Sequence, residues 1–142
     1  MRGLLPSDTL RFHHLGVAVA ALPPAIPVYE DLFGYRLLSG PFEDPIQKVA
    51  VCFLAKSPDD PFCIELVAPL GDDSPIGGVL KKGGGAYHTC YECRDLEGEL
   101  ARMKSKRCLL LGDPVPAVAF GGRRIAWLYT PTRQLVELLE AE

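Results

Sequence analysis

An α+β fold made of two βαβββ modules is predicted by three observations in this sequence. Strand-like and helix-like stretches follow one another in the same order twice along the chain. His14 and His88 stand 74 residues apart and Glu65 and Glu137 stand 72 apart (88 − 14 and 137 − 65), a shared period long enough to mark a duplicated module. The 142 residues, 48% of them hydrophobic, suit one domain with a sizeable core.

The first module is expected over about residues 11–70. Residues 11–20 alternate or run apolar, as a strand does. Ala21-Leu22-Pro23-Pro24 then opens a helix, because proline is tolerated in a first turn where its missing N–H is not needed. Leu22, Ile26, Tyr29 and Phe33 recur at helical spacing, and Gly34 closes the helix. Three short strands follow at Tyr35–Ser39, Lys48–Leu54 and Cys63–Ala68.

A structured linker is expected over about 71–85. There Ser74 as N-cap, Pro75 at the first helical position and the glycine run from Gly83 frame a short helix. The second module, about 86–140, repeats the order of the first. It has a strand near Tyr87–Cys93, Asp95 as a helix N-cap, and Leu96, Leu100 and Met103 on one helical face. Strands near Leu109–Leu111, Arg124–Tyr129 and Leu135–Leu139 complete it. Both modules fall in a single domain spanning 1–142.

Charge and composition narrow the function. A net charge of −3 and a pI near 5.6 give no broad cationic surface, which disfavours nucleic acid or an anionic membrane as partner and leaves a small molecule as the expected ligand. No stretch reaches the roughly eighteen apolar residues of a spanning helix, and residues 1–8 lack an apolar core of signal-peptide length. A soluble, cytoplasmic protein is expected. The five cysteines, Cys52, Cys63, Cys90, Cys93 and Cys108, are an odd number scattered through apolar runs, as buried free thiols in a reducing compartment would be. Cys90 and Cys93 spell C-x-x-C, but three steps along a strand place them on opposite faces, and no second pair completes a zinc site.

Chemistry concentrates in His14, Glu65, His88 and Glu137, each inside a strand-like apolar run. A carboxylate there is costly unless it is paired or metal-bound, and two in register need a common reason. Metal ligation supplies it: each module carries one histidine and one glutamate, half of a site for a divalent cation. Adjacent strand residues face opposite ways, so His13 and His14 cannot both serve. The repeat, in which Tyr87-His88 answers His13-His14, selects His14 and leaves His13 as a packing residue on the outer face.

Several stretches, read in order, resemble the vicinal oxygen chelate superfamily (glyoxalase/bleomycin resistance/dioxygenase). They are Phe12-His13-His14-Leu15-Gly16-Val17-Ala18-Val19, Ile64-Glu65-Leu66-Val67-Ala68-Pro69-Leu70, Asp73-Ser74-Pro75-Ile76, Lys82-Gly83-Gly84-Gly85-Ala86-Tyr87-His88 and Gly121-Gly122-Arg123-Arg124-Ile125-Ala126-Trp127-Leu128. The likeness covers Phe12 to Leu139, and within the superfamily it is nearest to the methylmalonyl-CoA epimerase branch. The resemblance implies two modules forming a curved mixed sheet around a metal, with His14, Glu65, His88 and Glu137 as ligands and water in the open positions. Two features depart from the pattern. Tyr87 stands where a second histidine is common, and Val49-Ala50-Val51-Cys52 holds no carboxylate where some epimerases carry a basic glutamate.

Two imidazoles and two carboxylates suit Co²⁺, Ni²⁺, Mn²⁺ or Fe²⁺ better than structural Zn²⁺, which favours sulfur-rich four-coordinate sites. The expected reaction is epimerisation or isomerisation of a methylmalonyl-CoA-like acyl-CoA by α-proton abstraction through a metal-stabilised enolate. Glu137 is the first candidate base and Glu65, by pseudo-symmetry, the second. Lys81, Lys82, Arg123 and Arg124 are the clustered cations that either meet the CoA phosphates or form solvated turns. The expected assembly is a homodimer, with the site built within one chain or across two. A glyoxalase-I-type lactoylglutathione lyase is the alternative enzyme. A non-catalytic small-molecule binder and an iron dioxygenase are the readings from other classes, the latter disfavoured by the fourth ligand.

Overall fold

The computed structural model describes residues 10–142; the expectation about residues 1–8 lies outside the described residues. The architecture is α+β. The strands are β1 (Leu10–Ala18), β2 (Arg36–Asp44), β3 (Val49–Ala55), β4 (Cys63–Pro69), β5 (Gly85–Cys93), β6 (Leu109–Leu110), β7 (Val115–Pro116), β8 (Arg124–Tyr129) and β9 (Leu135–Glu140). The helices are α1 (Leu22–Phe33), α2 (Gly77–Lys81) and α3 (Leu96–Ser105). Internal contacts divide the described chain into two compact units, His14–Tyr87 and Leu10–His13 with His88–Glu142.

In the unit His14–Tyr87 the strands lie in the order β2-β3-β4-β1, antiparallel except for the parallel pair β1 and β4. Helix α1 begins with its prolines and ends at Gly34, whose φ of 73° is the left-handed conformation that glycine takes without strain. It covers one face of the strands through a core of Val17, Leu22, Cys52, Leu54, Ile64, Leu66 and Ala68, with Ile26 and Tyr29 packed against it. Phe33 is exposed, against the expectation of a continuous apolar face, and its ring leans on Tyr29 and Tyr35. Strand β2 runs five residues past the expected Ser39, through two register shifts against β3 that local sequence does not encode.

The linker helix forms, but its cap is not the expected one. Ser74 does not cap α2 with its side chain; its carbonyl accepts from the Gly77 N–H in a turn, and Ile76 takes the N-cap position in a helical conformation. With Ile76 at 2% exposure, anchoring that side chain in the interior governs how the chain enters the helix.

In the other unit the order is β5-β9-β8-β6, with β7 also on β8 and the pair β5 and β9 parallel. Helix α3 is capped as expected: the Asp95 carboxylate accepts from the Gly98 N–H at 3.0 Å. Its apolar face, Leu96 and Leu100 with Met103, packs on Cys93, Ala126, Leu128, Val136 and Leu138. Cys90 sits in a separate cluster with Ala117, Ile125 and Leu139, so the two cysteines of the C-x-x-C do take opposite faces. All five cysteines are free. Strand β7 and the 3₁₀ turn Val118–Phe120 were not anticipated, because a two-residue strand carries no periodic signal.

The placement of His13 on the outer face is corrected. In the unit His14–Tyr87, Leu15, Val17 and Val19 face α1, so His14 turns away from that helix. In the other unit, Leu10 and Tyr91 join the cluster beneath α3 and the Phe12 ring meets Tyr91. Arg11 and His13 therefore turn away from α3, Arg11 toward Glu92 and His13 toward Phe120, their rings edge-on at 5.5 Å. The packing of Leu10 and Phe12 beneath α3 sets the direction of His13 in this unit, a tertiary choice that the local sequence does not encode.

Candidate metal centre

The first half-site belongs to the unit His14–Tyr87. The parallel ladder of β1 and β4 sets Gly16 opposite Glu65, which brings the carboxylate beside the imidazole two residues back along β1. His14 Nε2 and Glu65 Oε1 are 3.4 Å apart, with His14 fully buried and Glu65 at 6% exposure. On β3, Phe53 stands across from Glu65, and its ring meets His14 edge-on with centroids 5.4 Å apart.

The second half-site, in the other unit, repeats each of these relationships. The ladder of β5 and β9 sets Cys90 opposite Glu137, again two residues beyond the histidine. His88 Nε2 and Glu137 Oε1 are also 3.4 Å apart, with His88 at 1% and Glu137 at 3% exposure. Trp127 stands across from Glu137 on β8 and meets His88 edge-on at 4.8 Å.

The donor set fits a divalent cation. Two ligand atoms each about 2.0–2.2 Å from one ion lie roughly 3.0–3.4 Å apart when they subtend 90–109° there, whereas a typical N–H···O hydrogen bond is about 2.9–3.0 Å. Glu65 and Glu137 are held in apolar strands where an uncompensated carboxylate would be costly. The structure thus brings His14 to Glu65 and His88 to Glu137.

Sequence reasoning missed Phe53 and Trp127. A signal was there: they are 74 residues apart (127 − 53), the same interval as His14 and His88. The cluster of Glu92 with Arg11 and Arg123 was also missed. Glu92 lies two residues beyond Cys90 on β5, and each arginine donates to one of its carboxylate oxygens at 2.5 Å. Burial alone would raise the Glu92 carboxyl, but hydrogen bonds from Arg123 and Arg11, with their charges, outweigh it and hold it below the ordinary range.

The four clustered cations separate into two groups. Arg123 is spent on Glu92 and the Glu140 carbonyl, and Arg124 on the Glu140 and Glu97 carboxylates. Lys81 and Lys82 are exposed at the end of α2. The strand face named as lacking a carboxylate is apolar throughout, Val49–Ala55. Burial, with the Glu65 charge adding to it, pushes the Cys52 and Cys63 thiols up to about 11, so both are protonated at neutral pH.

The sequence pattern of the glyoxalase/bleomycin resistance protein/dioxygenase superfamily matches residues 13–127. The chain belongs to that superfamily. An ethylmalonyl-CoA/methylmalonyl-CoA epimerase of Cereibacter sphaeroides is similar, 33% identical over 121 residues, which is 84% of this chain and 87% of that protein. A mitochondrial methylmalonyl-CoA epimerase of Bos taurus is 33% identical over 113 residues, 78% of this chain and 62% of that protein. Among solved structures, the methylmalonyl-CoA epimerase of Mycobacterium tuberculosis superposes with a TM-score of 0.81 at 28% identity, covering 98% of this chain and 93% of that one. Within this superfamily the α+β architecture of mixed strands and the repeated βαβββ order are as the sequence predicted. No described helix is long and apolar enough to cross a membrane.

Proposed function

We propose that this superfamily member is a metal-dependent epimerase of a methylmalonyl-CoA-like acyl-CoA, with His14, Glu65, His88 and Glu137 as the ligands of one divalent ion. The observation that carries this reading is the doubled pair: two buried histidine–glutamate couples of equal separation, equal register and matching aromatic neighbours. Two donors leave a divalent ion under-coordinated, while four leave positions for a chelating substrate. The names of the Cereibacter and bovine relatives support the acyl-CoA class and the isomerase chemistry.

One domain spans the chain, with modules over about 11–70 and 86–140 joined by the linker 71–85. The four ligands come together within one chain or across a homodimer, and either arrangement gives one ion per chain. Co²⁺, Ni²⁺, Mn²⁺ and Fe²⁺ suit the donor set better than Zn²⁺. Five free thiols suit the cytoplasm.

When bound, the ion supplies positive charge beside the substrate oxygens as the α-proton leaves. The chain's own carboxylates move the proton. Glu137 accepts it, leaving the C–H electron pair delocalised into the thioester carbonyl, while Glu65, which enters this direction of turnover protonated, gives its proton to the opposite face of the planar carbon, and exchange with solvent resets the two carboxyls. The apolar strands around both glutamates exclude water, and the edges of Phe53 and Trp127 keep the imidazoles from turning.

The test is incubation of (2R)-methylmalonyl-CoA with cobalt-loaded protein in deuterated water. Deuterium at C2 together with appearance of the 2S epimer is the expected result. Absence of both, or lactoylglutathione from a glutathione hemithioacetal under the same conditions, overturns the reading.

A further inference from the structure

We infer that Lys81 and Lys82, at the end of α2, form the cationic anchor that grips the diphosphate end of a CoA thioester; this rests on the acyl-CoA reading above. The unit His14–Tyr87 has five cations, Arg36, Lys48, Lys56, Lys81 and Lys82. Lys48 is paired with Asp73 at 2.5 Å, and Lys56 lies over the Tyr35 ring, 4.7 Å from its centroid. Lys81 and Lys82 remain as the only adjacent pair of cations in this unit, both exposed.

The chain between the lysines and the His14–Glu65 pair bounds their separation at about the span of this substrate class. A Cβ on Gly84 would stand 3.0 Å from the Ala18 carbonyl oxygen, so the glycine turn after Lys82 is pressed against the end of β1. That contact is why glycine is needed there, and its φ of 71° is a second reason. Ala18 is four residues beyond His14 on β1, about 13 Å at a rise of about 3.3 Å per residue. Lys82 is two residues from Gly84, adding at most about 7 Å of chain.

The pantetheine arm between a thioester sulfur and the diphosphate has about a dozen bonds, equivalent to four extended residues, or roughly 14 Å. An acyl group held at His14 and Glu65 therefore places its diphosphate within reach of lysine side chains about 6 Å long. Arg123 and Arg124, the other sequence candidates, are engaged by Glu92, Glu97 and Glu140. Two point charges on flexible stems suit a mobile, doubly charged diphosphate more than a planar carboxylate.

Calorimetry with propionyl-CoA and with propionyl-pantetheine, which lacks the phosphates, tests the anchor without requiring turnover. The K81E/K82E variant is expected to bind propionyl-CoA at least ~10-fold more weakly than wild type, while both proteins bind propionyl-pantetheine equally. The wild-type preference for propionyl-CoA is expected to shrink as salt rises. Equal propionyl-CoA affinity in the two proteins, no binding to wild type, or a parallel loss for propionyl-pantetheine overturns the anchor. If the charge reversal weakens propionyl-CoA binding as expected while methylmalonyl-CoA gains no deuterium, the anchor stands and the epimerase reading fails.

Discussion

Trp127 meets the His88 imidazole edge-on at 4.8 Å while standing directly across the strand from Glu137. It is the only tryptophan in the chain, so its fluorescence reports on one half-site. Adding Co²⁺ or Ni²⁺ to metal-free protein should quench that emission with an endpoint at one ion per chain, and His88→Ala should abolish the saturable part. Quenching that is unchanged in His88→Ala would separate Trp127 from the metal and sink this relationship.

The same packing makes Trp127 and Phe53 positioning residues. Trp127→Leu and Phe53→Leu keep an apolar side chain but remove the flat edge that holds the imidazole. Metal affinity should fall by about 10–100-fold, as when other supporting contacts of a ligand are lost, with Trp127→Phe restoring most of it. Unaltered affinity in both leucine variants would make these rings simple filler.

Glu137→Gln removes the proposed base and leaves a neutral oxygen donor beside His88. Turnover should drop by about 10²–10⁴-fold, the usual worth of a positioned general base, with the metal still detectable. Full turnover with metal bound would disprove the assignment.

Acid should loosen the cluster of Arg11, Glu92 and Arg123. The Glu92 carboxyl is lowered from its ordinary 4.5, so the folded chain binds this proton less readily than the unfolded one. Its contribution is present above pH 4.5 and is lost as pH falls through the depressed value. Glu92→Gln should therefore be less stable than wild type at pH 7, with the difference narrowing toward pH 3 in urea melts. A difference independent of pH would remove the ionic account.

Most of the fold was legible because its signals are local. The prolines and Gly34 bound α1, Asp95 caps α3, and short apolar runs mark β8 and β9. What was hidden depends on partners far along the chain. Strand β2 is lengthened by pairing with β3, His13 is turned by the packing of Leu10 and Phe12 on distant residues of its unit, and Arg123 and Arg124 are claimed by carboxylates 16 to 31 residues away. The histidine–glutamate pairs were readable because a charge in an apolar strand is conspicuous. Phe53 and Trp127 were not, because an aromatic in such a run looks like core until its interval is compared with that of the histidines.

The central claim is one divalent ion held by four side chains contributed equally by two modules. Elemental analysis after reconstitution and gel filtration tests it most directly, on wild type, His14→Ala and His88→Ala. The account predicts one ion per chain in wild type and loss of tight binding in both variants, since each removes one donor of the same set. Retention of a full ion by either variant, or no metal in reconstituted wild type, would contradict it.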